Sequence, residues 1–256
     1  MKASFVVVTV EDRIHDLNHL LHTIRADARW ASFDINILFQ GSREVLRQVT
    51  LDPRTRVWCH KEKLGCHGAR VQLLRQMSPY DVYVNLDDDI ELGTQTNYLP
   101  AIRKALERTA GFVITAWART PDLLAKKTPR EEFKPQIMLY NGGGMAYSEK
   151  IAALMRQLPP VKTAFDCAWP ITAYVNGYTN WYYYGSLTVH RVVSRGGMQT
   201  FMQDTPLHVM CAEWLRFRPA KRRRGNCNDV LIPLDADVLP AAKALHRENR
   251  KKRFGL

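Results

Sequence analysis

Apolar positions follow two alternating rhythms over the first 118 residues. Phe5 to Val8 is an unbroken β-branched and aromatic run, the pattern of a strand buried on both faces. Ile14, Leu17, Leu21 and Ile24 then recur at helical spacing. Ile35, Ile37, Leu38 and Phe39 predict a second strand closed by Gly41-Ser42, and Val57-Trp58 a short third. Val71, Leu73 and Leu74 predict a helix that ends before Ser78-Pro79. Val82 to Leu86 predict a fourth strand, which runs directly into Asp87. Tyr98, Leu99, Ile102, Ala105 and Leu106 return to helical spacing, and Phe112 to Thr115 to strand. Such alternation predicts crossover units: an α/β fold with a mainly parallel, mixed sheet flanked by helices.

Beyond residue 118 the rhythm loosens. Residues 119–136 mix three prolines with Lys and Arg and predict a surface loop. Ile137 to Tyr140 predict a strand leading into Asn141-Gly142-Gly143-Gly144, and Trp181 to Val189 another. Between them, Trp169 to Asn176 predict a short helix, with Pro170 early and Gly177 as its stop. The expected organisation is a main domain over 1–204 and an extension over 205–256 that packs on or flanks it. No internal repeat is visible.

Charge and cysteine content sharpen the picture. The formal charge is +12, and residues 216–256, with twelve Lys/Arg against four Asp/Glu, hold eight of those charges. Lys221, Arg222, Arg223 and Arg224 form one run and Arg250-Lys251-Lys252-Arg253 another. A solvated tail explains them; so does a footprint for a polyanion such as DNA, anionic lipid or acidic glycan. Five cysteines, irregularly spaced, match neither a disulfide framework nor a metal knuckle. Cys59-His60 and Cys66-His67 come nearest to a zinc pattern, and ordinary buried thiols explain them better. The apolar stretch in residues 1–10 is too short for a membrane span, and Glu11-Asp12 follows it. A soluble cytoplasmic protein is the expectation.

The chemistry concentrates at Asp87, Asp88 and Asp89. Open α/β sheets bind ligands beyond the carboxyl ends of their strands, and these residues follow such a strand. Three adjacent carboxylates repel one another unless a cation offsets them, and their oxygens suit Mg²⁺ or Mn²⁺. Such an ion grips a diphosphate and stabilises its charge as it leaves. Asp235-Ala236-Asp237 repeats the spacing without the strand, because Pro233 interrupts its apolar run.

The order of segments resembles GT-A glycosyltransferases of the family 2-like kind. Phe5 to Arg13, Leu64 to Arg70, Asn85 to Ile90 and Gly142-Gly143-Gly144-Met145 carry the resemblance, with an acidic residue before a helix and a late histidine. It covers roughly residues 4–190. The resemblance implies a nucleotide-sugar donor, UDP-linked in the first instance, bound with Mn²⁺ or Mg²⁺. Asp87 and Asp89 match the D-x-D pair, Asp89 the more direct metal ligand, with Asp88 between them at the donor. Thr9, Glu11 and Arg13 match the loop that holds base and ribose, and Arg70 the basic residue beside the nucleotide. Ordinary turn and surface chemistry is the alternative for each of these.

Three further positions follow from it. Asp166 stands where the family places the base of an inverting transfer, although the family shows two acidic residues there and this chain has Phe165-Asp166. A helix N-cap explains Asp166 equally simply. Gly142, Gly143 and Gly144 suit close approach of backbone to donor sugar, or else a flexible turn. His190 matches a final metal ligand, with His208 as runner-up and a structural histidine as the plain reading.

Trp181 to Tyr184, followed by Arg191 and Arg195, put aromatic rings beside positive charge. Strand propensity accounts for the rings without any ligand. With Lys221 to Arg224 they also suit an extruded base in DNA, as in phage enzymes that glycosylate 5-hydroxymethylpyrimidines. A saccharide or lipid-linked acceptor is the competing expectation. A sugar nucleotidyltransferase is disfavoured because Thr9 to Arg13 contain no glycine, and a non-catalytic nucleic-acid binder would leave the aspartates idle.

Overall fold

The computed structural model describes residues 1–95, 98–118, 133–135, 144–158, 160, 169, 170, 172, 173, 176 and 178–190. The chain opens with β1 (Ala3–Val10), a 3-10 turn (Glu11–Arg13) and α1 (Ile14–Ala26). Then come β2 (Phe33–Gln40), α2 (Arg43–Leu46), β3 (Thr55–His60) and α3 (Gly65–Gln76). β4 (Val82–Asp87) is followed at once by β5 (Ile90–Gln95), then α4 (Tyr98–Thr109) and β6 (Ala110–Ala118). β7 (Phe133–Pro135), β8 (Met145–Ser148), α5 (Glu149–Arg156) and β9 (Thr179–His190) complete the described elements.

Among the described residues, nine strands form one sheet ordered β3-β2-β1-β4-β8-β6-β9-β5, with β7 also on β9. β3, β2, β1 and β4 are mutually parallel, joined by crossovers that carry α1, α2 and α3. β8 then enters antiparallel between β4 and β6, so the sheet is mixed.

The period of two along β1 explains why Phe5 to Val8 are apolar without a break. Val6 and Val8 join one core with Ala69, Val71, Leu73 and Leu74 of α3 and Ile151, Ala152 and Met155 of α5. Phe5 and Val7 join the other, with Leu17, Leu20, Leu21 and Ile24 of α1 and Ile102, Ala105 and Leu106 of α4. Both faces are therefore covered, and ligand access is left to the sheet's ends.

One expectation is corrected. Part of the loop expected over 119–136 is strand: Phe133, Lys134 and Pro135 pair antiparallel with Tyr183, Tyr182 and Trp181. Three residues suffice where a long neighbour supplies the template, and a terminal proline costs few ladder bonds. The strand expected at Ile137 to Tyr140 and the whole extension from 205 lie outside the described residues. Of the helix expected over Trp169 to Asn176, residues 169, 170, 172 and 173 are helical.

Candidate active site

β4 delivers Asp87 at its last position, and a two-residue turn of Asp88 and Asp89 leads into β5. β1 runs parallel beside β4, with Val8 opposite Asp87, so Thr9 and the 3-10 turn lie next to the carboxylates. Each aspartate then has a different environment.

Asp88 turns inward. It is 1% exposed, accepts from Thr9 Oγ1 at 2.6 Å and pairs with Arg13 Nη1 at 2.5 Å. Burial pushes its carboxyl up to about 7, Arg13 and Thr9 pull against that rise, and Asp89 and Asp87 add to it. Asp89 takes the other arm of the same guanidinium, with Arg13 Nη2 at 3.1 Å from Oδ2. Asp87 is the most open of the three, its side chain 26% exposed, and it accepts from Arg70 Nη2 at 2.7 Å.

Arg70 comes from α3, and its side chain is fully buried. It also donates to the Leu86 carbonyl at 3.3 Å and lies against Cys66 Sγ. Burial opposes its charge, while Cys66, Asp87 and Tyr147 outweigh burial and raise its pKa. Arg13 shows the same balance, burial against Asp88, Asp89 and Asp16, with a net rise. Three carboxylates thus face two guanidiniums, and negative charge is left over.

Glu11 begins the same 3-10 turn as Arg13, but its carboxylate goes to the β2 end instead of the aspartates. Its carboxylate accepts from the Ser42 backbone N–H at 3.1 Å, and a Cβ at Gly41 would come within 2.8 Å of Glu11 Cβ. Glycine there is what lets the β1 and β2 ends approach. Gln40, absent from the sequence-based candidates, ties the same region together. Its buried amide accepts from Leu64 N–H at 2.6 Å and donates to the Thr9 carbonyl at 3.4 Å.

Of the other candidates, His190 and Gly144 come to this end of the sheet. His190 pairs with Ile90 across β9 and β5, one residue from Asp89, so two positions a hundred residues apart in sequence are neighbours. Gly144 is buried and precedes Met145, the partner of Asn85, which brings the end of the glycine run beside the end of β4. Trp181 lies in β9 opposite Val113 of β6. Gly142, Gly143, Asp166, Arg191, Arg195, His208 and Lys221 to Arg224 lie outside the described residues.

His67 has a partner that sequence alone did not suggest. Trp169 Nε1–H donates to His67 Nδ1 at 3.0 Å, with both residues fully buried. That bond requires a lone pair on Nδ1, and Cys66 is engaged with Arg70, so this pair serves the core and not a zinc ion.

Among the described residues no three His, Cys, Asp or Glu side chains are gathered to hold an ion unaided. Asp87 and Asp89 nevertheless offer hard oxygen donors beside surplus negative charge, a set that fits Mg²⁺ or Mn²⁺ sharing its ligands with a diphosphate. Also among the described residues, no helix is long and apolar enough to cross a membrane.

No protein-family model matches the sequence, and no curated protein matches it either. Solved structures do. GalNAc-T7 with UDP, GalNAc and Mn²⁺ superposes with a TM-score of 0.58 at 11% identity, covering 84% of this chain and 49% of that one. The mannosyltransferase PcManGT from Pyrobaculum calidifontis, in complex with GDP-Man and Mn²⁺, gives 0.58 at 15% identity over 97% of this chain and 70% of that one. The chain has the GT-A fold. S. aureus TarS 1-349 in complex with UDP-GlcNAc gives 0.54 at 14% identity over 84% of this chain and 65% of that one. The chain therefore spans about half the length of GalNAc-T7 and just under two thirds of that TarS chain. Within the GT-A fold described here, the carboxylate turn lies at the C-terminal end of a parallel strand, where open sheets of this kind take ligands.

Proposed function

We propose that this chain is a metal-dependent glycosyltransferase that moves a sugar from a nucleotide-sugar donor, UDP-linked in the first instance, to a hydroxyl acceptor. One observation carries the reading: a turn of three carboxylates, anchored by Arg13 and Arg70, at the C-terminal end of β4 in a GT-A sheet. The structural neighbours, which hold UDP, UDP-GlcNAc or GDP-Man and in two cases Mn²⁺, support it.

In this reading Asp87 and Asp89 hold Mn²⁺ or Mg²⁺, with His190 as a further ligand from β9. The ion, when bound, offsets the charge of the diphosphate. Arg70 fixes the Asp87 carboxylate, and Thr9, through Asp88, fixes the turn that carries both. Glu11 and Arg13 border the base and ribose, and the backbone of Gly142, Gly143 and Gly144 lies along the donor sugar. Transfer is inverting: the acceptor oxygen bonds to the sugar C1 as the bond from C1 to the diphosphate oxygen breaks, and the electron pair leaves with the diphosphate. Asp166 receives the acceptor's proton. An Asp166→Asn variant is expected to keep donor binding, seen by calorimetry, and to lose transfer by about a hundredfold or more. Turnover within a few-fold of the parent would remove Asp166 from that role.

The acceptor is a 5-hydroxymethylpyrimidine in DNA. Trp181 stacks on the extruded base, and Lys221, Arg222, Arg223 and Arg224 neutralise phosphates. A screen of nucleotide-sugar donors with Mn²⁺, run with and without hydroxymethylated DNA and read by mass spectrometry of the nucleosides, tests donor and acceptor together. The expected result is a hexose-sized mass gain on the modified nucleoside with one donor. Donor turnover without that gain points to a saccharide or lipid-linked acceptor. Failure of every donor to bind or turn over would overturn the transferase reading.

A further inference from the structure

Arg13 makes both of its close carboxylate contacts, 2.5 Å to Asp88 and 3.1 Å to Asp89, from one guanidinium whose side chain is only 14% exposed. It thereby covers an oxygen of Asp89, the residue that the proposed function assigns to the cation. We infer that Arg13 is a resident counter-ion that makes cation binding at Asp89 conditional on the donor's diphosphate. The inference rests on the transferase reading and deepens it, since the sequence resemblance would assign Arg13 to base and ribose alone.

The physical case is one of competing charges. With no donor present, a divalent ion approaching Asp89 meets a paired guanidinium a hydrogen bond away, within a region largely shielded from water, where like charges repel strongly. A diphosphate changes both terms at once. It brings oxygens that complete the ion's coordination shell, and it offers planar, bidentate acceptors to which a guanidinium turns readily. Arg13 has room to turn because its side chain keeps some exposure, 14%, and stands at the N-cap of α1. Asp88, bonded also by Thr9, keeps its place as the guanidinium leaves. Arg70 cannot play this part, because its side chain is fully buried and tied to the Leu86 carbonyl as well as Asp87.

Titration of the 256-residue chain with Mn²⁺ alone and with Mn²⁺ plus UDP, read by the electron paramagnetic resonance of free Mn²⁺, tests the inference without any turnover. For the parent, UDP is expected to strengthen Mn²⁺ binding markedly. For Arg13→Gln, Mn²⁺ alone is expected to bind at least about tenfold more tightly, and the gain from UDP to shrink. Arg13→Lys, which keeps the charge, is expected to stay within about threefold of the parent. Arg13→Met, which fills similar space without charge, replaces the Gln variant if thermal melting shows that one to be unfolded. Unchanged or weaker Mn²⁺ binding in a folded, uncharged variant, with UDP-assisted binding intact in the parent, overturns the inference. If the parent binds no Mn²⁺ even with UDP, the transferase reading itself falls and takes the inference with it.

Discussion

Asp89→Asn is expected to lower the transfer rate by about a thousandfold or more, the scale of loss when a metal-held leaving group goes unsupported. Asparagine keeps the volume and one acceptor oxygen, so Arg13 Nη2 retains a partner and the turn retains its shape. Thermal stability should hold or rise slightly, because one of three mutually repelling carboxylates is gone. The same change should lower the pKa of Asp88, since Asp89 is one of the groups that raise it. Release of nucleoside diphosphate measures the first effect, a thermal melt the second and a carboxyl NMR titration the third. A rate above one tenth of the parent's would show that Asp89 is not needed at the diphosphate.

Arg70→Met should produce the largest loss of stability of any change at the site. A buried ion pair broken from one side leaves an uncompensated charge, typically at a cost of about 3–5 kcal/mol. Here the guanidinium also serves the Leu86 carbonyl and contacts Cys66, so three partners lose it together. Urea denaturation of the single variant should show that cost. The double variant Arg70→Met with Asp87→Asn should recover part of it, because neutralising Asp87 removes the stranded charge. A single-variant loss below about 1 kcal/mol would mean that Asp87 is well solvated without its partner.

The parallel half of the fold was legible because burial on both faces writes a continuous apolar run. Phe5 to Val8, Ile35 to Phe39 and Val82 to Leu86 all proved to be strands, each longer by a residue or more than its run. β5 escaped notice because Glu91 and Gly93 interrupt its apolar residues, and because its neighbour is far away in sequence. β7 escaped because three residues carry no periodicity.

At the site, position along the chain was readable but direction was not. Nothing in Asp87-Asp88-Asp89 tells which carboxylate faces inward; that depends on Thr9 and Arg13, about 75 residues earlier. The resemblance likewise matched Arg70 to a basic residue beside the nucleotide without revealing that its side chain is fully buried against Asp87. Gln40, His67 and Trp169 were invisible as a set of ties because each bond spans two elements.

The position of β5 has a consequence for how the protein assembles. Although it follows β4 after only two residues, its ladder partner is β9, and no pairing joins it to β4. The crossover units of the first ninety residues can form from local contacts, yet the amides of Ile90 to Leu92 gain protection from solvent exchange only when a segment synthesised about a hundred residues later docks against them. A nascent chain released early would carry its acidic turn on an unsecured rim. That rim gains its neighbouring strand only once β9 is in place.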